Sequence, residues 1–122
     1  MNIKYSNTSQ KEIKAILEYL DKWKCFFKIE IQYFIDAWSI SLTELTLYPR
    51  YIVIAKLEGQ DFFEIKSFEV SLNEAYEQVE KEIFSIDQIS TLEDLFREIK
   101  EIIYGKDLFN DVKMCINRIK SK

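Results

Sequence analysis

RYIVIAKLEGQDFFEIKSFEV, residues 50–70, is the stretch on which the fold turns. Tyr51, Ile52, Val53 and Ile54 make a dense β-branched and aromatic run, and Phe62 to Val70 makes a second. Between them stands Glu58-Gly59-Gln60-Asp61, where Gly59 can take the positive φ of a tight turn, so the segment reads as a β-hairpin. Which of Phe63, Ile65 and Phe68 faces the core depends on the register of the second arm. Val53 and Ile65 are the expected inward positions.

Upstream, Pro49 interrupts a β-prone segment in which Ile40, Leu42, Leu45 and Leu47 are interleaved with serine, threonine and Glu44. Further back, Phe27, Ile29, Ile31, Tyr33 and Ile35 alternate with Lys28, Glu30 and Gln32, the pattern of a strand with one wet face. Phe27, Ile31, Phe34 and Trp38 also satisfy helical spacing, so a continuation of the preceding helix competes with the strand over 24–39. Aromatic and β-branched content favours the strand. The first helix is expected over 9–23, capped by Thr8 or Ser9 with Glu12 at capping-box distance, and Ile13, Ile16, Leu17, Leu20 and Trp23 form its inner stripe.

Downstream, Ser71 and Glu74 have capping-box spacing, and Leu72, Ala75, Tyr76, Val79 and Ile83 recur at helical intervals, which predicts a helix over 72–84. Ser90 and Glu93 repeat the spacing before a helix over 91–104, with Leu92, Leu95, Phe96, Ile99, Ile102 and Ile103 on its apolar face and Gly105 placed to end it. A last helix over 108–120 carries Leu108, Val112, Cys115, Ile116 and Ile119 inward. Strands should dominate 41–69, and Ile16, Leu20, Val53, Ile65, Val79, Leu95, Ile99 and Ile116 should contribute to the core.

The expected architecture is therefore α+β: one compact domain over residues 1–122, with an antiparallel sheet of three to five strands, an N-terminal helix and three C-terminal helices. The 122-residue length is that of one domain, and 48% hydrophobic content with two glycines and one proline excludes a disordered or collagen-like chain. The absence of a long uncharged apolar run, with two widely separated cysteines, predicts a soluble cytoplasmic protein with reduced thiols.

The chain contains no histidine, which removes Ser-His-Asp, Cys-His and histidine-metal chemistry together and leaves carboxylates and lysines. Glu64-Ile65-Lys66 would place glutamate and lysine on one strand face. This triplet resembles the Glu-x-Lys portion of the PD-(D/E)xK nuclease superfamily. The resemblance implies a Mg²⁺-dependent nuclease in which Glu64, with Asp36 or Asp61, holds the metal and Lys66 stabilises phosphate charge or orients water. Here Pro49 is followed by Arg50 rather than by the family's acidic residue.

Lys4, Lys11, Lys14, Lys22, Lys24 and Lys28 near Trp23, Phe26 and Phe27 raise direct nucleic-acid binding as a further alternative. Gly59 and Gly105 stand too far apart for a phosphate loop, and Asp107, Asn110 and Asp111 lack calcium-loop spacing. No cofactor and no metal is implied, and no residue is assigned a catalytic role.

Charge points elsewhere. The net charge is −4, residues 1–61 sum to zero, and residues 72–101 carry nine carboxylates against Lys81, Arg97 and Lys100. Glu74, Glu77, Glu93, Asp94, Glu98 and Glu101 are the candidate contacts for a basic protein, such as a toxin or a nucleic-acid-processing protein. Tyr48, Arg50 and Tyr51 are the candidate anchors. The function expected is that of a small acidic protein-binding protein without enzymatic activity, of the kind represented by inhibitors, immunity proteins and nucleic-acid mimics.

Overall fold

The computed structural model describes residues 7–47, 49–57 and 59–104. Helix α1 runs Asn7–Leu20 and tightens into a 3₁₀ turn over Asp21–Trp23. Five strands follow, β1 (Phe27–Tyr33), β2 (Ala37–Glu44), β3 (Arg50–Leu57), β4 (Phe63–Leu72) and β5 (Gln78–Ile89), and then helix α2 (Leu92–Tyr104). The strands form one antiparallel sheet in the order β1-β2-β3-β4-β5. Short connections between sequential strands produce such a meander.

Register sorts the side chains. Ile31 pairs with Ile40, Ile40 with Ile54, Ile54 with Ile65 and Ile65 with Ile86, so a row of isoleucines crosses all five strands on one face. Against that face lie Ile13, Ile16, Leu20 and Trp23 from the N-terminal helical segment and Leu95, Ile99, Ile102 and Ile103 from α2, in one core cluster. Two polar contacts and one aromatic stack fix the helices. Lys56 Nζ on β3 donates to both carboxylate oxygens of Glu12 at 2.9 Å, Trp23 Nε1 donates to the Tyr104 hydroxyl at 3.1 Å, and Tyr19 stacks on Phe96 with ring centroids 4.1 Å apart.

The predicted α+β class holds, with an N-terminal helix and a five-stranded antiparallel sheet, but the three C-terminal helices do not. Among the described residues one helix, α2, follows the sheet. Residues 72–84, expected to be helical, are the end of β4, a turn and the first half of β5. Asn73 builds that turn: its Oδ1 accepts from the backbone N–H of Ala75 and of Glu77, both at 2.9 Å, while Asn73 N donates to Glu77 O at 3.0 Å. An Asx turn of this kind offers the backbone an alternative to a first helical turn. The helix expected over 108–120, Gly105 as its predecessor's stop, and Ile116 all lie outside the described residues.

Two further expectations shift with the register. Val53 sits on the face away from the helices, because Ile52 and Ile54 take the inward positions. Val79 is 40% exposed, in the part of β5 that extends beyond the core. Ile16, Leu20, Ile65, Leu95 and Ile99 are buried as expected. The strand reading of 27–33 also holds and Gly59 does adopt a positive φ of 84°, whereas the cap of α2 is Thr91, one residue after the Ser90 of the expected capping box, its Oγ1 accepting from Asp94 N at 3.1 Å.

Leu45 and Leu47 do not continue the alternation of β2; both are exposed in the connection to β3. Glu44 takes the last inward position instead. Its carboxylate is buried and accepts from Arg50 N and Nε at 2.9 Å and from Arg50 Nη2 at 3.1 Å. This bidentate pair closes the β2–β3 connection.

Candidate functional site

The helices cover one face of the sheet, and the side chains of the other face are small or polar along its middle. Ser39, Ser41 and Thr43 of β2 and Val53 and Ala55 of β3 line this face, open in that neither helix of the described residues packs on it, and all are half-buried. Near the β2–β3 connection a groove of about 580 Å³ is bordered by Thr46, Pro49, Tyr51, Val70 and Glu80. Tyr51 stacks on Phe68 with centroids 4.9 Å apart, and a hydrogen bond joins its side chain to that of Glu80. Burial, reinforced by the Glu80 carboxylate, pushes the Tyr51 phenol up to about 12.

Of the predicted anchors, Tyr51 is thus on the open face as part of an aromatic pair. Arg50 is committed to Glu44, and Tyr48 lies outside the described residues. The predicted acidic contacts divide between two elements. Glu74 and Glu77 are exposed in the β4–β5 turn, not on a helix. Glu93, Asp94, Glu98 and Glu101 are on α2, where Glu93 and Glu101 are exposed and Asp94 is engaged by Arg97. Glu93 and Asp94 in the first turn also favour the helix by opposing its dipole.

β5 adds carboxylates that the helical reading of 72–84 could not place. Glu80 and Glu82 are exposed on the edge strand, beside Lys81. The strand is bulged twice against β4, with Ile83 as an extra residue between the Ser67 and Phe68 pairings, and with Asp87 and Gln88 together opposite Glu64. Gln88 takes a φ of 60° to make the second bulge. Asp87-Gln88, two polar residues in a row between Ile86 and Ile89, are the sequence trace of that bulge. Such irregularities are a common device for twisting a free edge strand away from unwanted pairing.

Glu64 and Lys66 do share the open face, with Lys66 Nζ 3.3 Å from Glu64 and 3.7 Å from Glu82. The two glutamates hold the lysine ammonium above its ordinary pKa, Glu64 contributing more. Asp36 and Asp61 are exposed in the turns before β2 and β4. Among the described residues no group of three or more acidic or cysteine side chains is placed to hold a metal ion.

The aromatic residues of the possible nucleic-acid patch are mostly internal. Trp23 and Phe27 are buried, and Lys22 lies over the Tyr19 and Trp23 rings at 3.7 and 4.6 Å. Lys24 pairs with Asp21 and Lys28 with Glu30. Cys25 is an exposed free thiol, and no helix among the described residues is long and apolar enough to cross a membrane. No protein-family model, curated protein or solved structure matches the chain.

Proposed function

We propose that this chain is a small protein-binding protein that occupies a basic surface of its partner, as an inhibitor, an immunity protein or a nucleic-acid mimic does, and that it acts by contact in the cytoplasm rather than by turnover. The observation that carries the reading is the exposure of carboxylates on consecutive elements: Glu74, Glu77, Glu80 and Glu82 on the β4–β5 hairpin, and Glu93 and Glu101 on α2. Against them stand Lys81, Arg97 and Lys100. A field of one sign steers a basic partner to the surface, while exposed ion pairs themselves add little affinity, so an apolar or aromatic contact must supply the rest.

Pull-down from the native source, with the bound protein identified and then titrated as a purified component, tests the reading. A basic protein should be recovered, and its affinity should fall with rising salt. Reversing Glu74 and Glu77 to lysine, and separately Glu93 and Glu101, identifies the element responsible. Undiminished affinity in both folded variants overturns the acidic surface. Recovery of nucleic acid competed by polyanions favours the nucleic-acid-binding alternative, and Mg²⁺-dependent cleavage lost in both Glu64→Ala and Lys66→Ala favours the nuclease.

A further inference from the structure

The second bulge of β5 places two carboxylates, Glu64 on β4 and Asp87 on β5, as cross-strand neighbours on the open face. Like charges in that position repel and destabilise a sheet. Lys66 offsets this only in part, because it is shared between Glu64 and Glu82. Asp87 has no ion-pair or hydrogen-bond partner among the described residues. Lys56 also borders this corner, but its ammonium is held by Glu12 on the helix side and cannot neutralise Asp87.

Next to the carboxylates is a pocket of about 360 Å³. Ala37 and Ala55, two small residues of the open face, leave room in it, and Leu57 and Phe62 bring exposed apolar surface to its border. Gln60 and Gln88 add amide groups. A pocket lined by small and apolar residues together with two carboxylates and two side-chain amides is complementary to a flexible aliphatic stem with a planar, multiply donating cation at its tip. Guanidinium meets that description better than ammonium, since it can bridge two carboxylates and lie against the Phe62 ring.

We propose that this pocket is a receptor for an arginine side chain presented by a partner protein. The proposal rests on the protein-binding reading above and supplies it with the apolar contact that exposed carboxylates lack. It moves the centre of recognition from the exposed carboxylates of the β4–β5 hairpin and α2 to the corner where the β3–β4 turn meets the second bulge of β5. Arginine is also a side chain that binding hot spots favour.

The test is an amide-resolved NMR titration of the whole chain with acetyl-Gly-Arg-Gly-amide, with the citrulline peptide as a neutral isostere. The expected result is saturable shifts at Ala37, Ala55, Phe62, Asp87 and Gln88 with the arginine peptide and none with citrulline. Asp87→Asn should weaken binding about tenfold, the loss of one charge-assisted hydrogen bond, and Ala55→Leu should abolish it by filling the slot. Glu18→Gln, an exposed position on α1, should leave it unchanged, and spectral dispersion verifies folding of each variant. Equal shifts with citrulline overturn the proposal, as does unchanged affinity in both folded pocket variants. Shifts confined to α2 or the β4–β5 turn also overturn it, while leaving the basic-partner reading intact. An absence of shifts overturns the pocket alone, because the wider reading is decided by the purified partner.

Discussion

Removing the Glu44 carboxylate is the most demanding single test of the fold. Glu44 is 5% exposed and Arg50 24% exposed, and three hydrogen bonds join them at 2.9, 2.9 and 3.1 Å. Breaking a buried ion pair from one side typically costs about 3–5 kcal/mol, because the remaining charge loses its partner without regaining water. The partial exposure of Arg50 lets its guanidinium recover some hydration, which lowers the expectation for Glu44→Ala to about 2–4 kcal/mol. Glu44→Gln keeps an oxygen for Arg50 N and Nε but turns an amide donor toward Nη2, so about 1–3 kcal/mol is expected. Replacing both members by apolar residues of similar length, Glu44→Leu with Arg50→Met, should recover much of the Glu44→Ala loss, since no charge is then left unpaired. Urea unfolding followed by tryptophan fluorescence measures all three. A Glu44→Ala cost below about 0.5 kcal/mol, or a double variant no more stable than Glu44→Ala, would refute the buried pair as the lock of the β2–β3 connection.

Three further outcomes follow from the same packing. Ile54→Ala should cost about 2–5 kcal/mol and Val53→Ala less than about 1 kcal/mol, as urea unfolding would resolve, because the register puts them on opposite faces of β3. Ser67→Ala should leave stability unchanged or raise it by about 0.5–1 kcal/mol in the same assay, since the buried Ser67 hydroxyl has no hydrogen-bond partner among the described residues. In a spectrophotometric titration one phenol should ionise near pH 12 and disappear in Tyr51→Phe, and Glu80→Gln should lower its pKa. As the folded value lies above the ordinary 10, the associated stability is present below pH 10 and is lost as pH rises through about 12.

The error over 72–84 has an identifiable cause. Leu72, Ala75, Tyr76, Val79 and Ile83 fit a helical stripe, and Ser71 with Glu74 imitates a capping box, so the local signals agree on the wrong structure. What overrides them is the outer edge of β4. A ten-residue strand exposes a row of backbone donors and acceptors there, and β5 satisfies them along most of its length. Val79, Ile83, Phe84, Ile86 and Ile89 were the available sequence signs of a strand, but two bulges break their alternation. The candidate pocket was hidden for a related reason: Ala37, Leu57, Phe62 and Asp87 belong to different elements and meet only through the sheet.

The sequence by itself determined the elements whose periodicity is unambiguous and whose ends carry their own chemistry. These are α1 and α2 with their apolar stripes and the β3–β4 hairpin with Gly59 at its turn, whereas 27–33 satisfied helical as well as strand spacing and needed its pairing with β2 to be decided. It also determined the acidic bias of residues 72–101, which is independent of conformation. Tertiary structure decided the facing of β3, where Tyr51 to Ala55 offer apolar or small side chains on both faces and only pairing with Ile40 and Ile65 selects Ile54 as inward. It decided as well that Glu44 is internal and that Glu74 and Glu77 stand on a hairpin rather than a helix. Local patterns fix a side chain's direction only relative to its neighbours in the chain, whereas which direction is inward depends on hydrogen-bonded strands and packed helices that are distant in sequence.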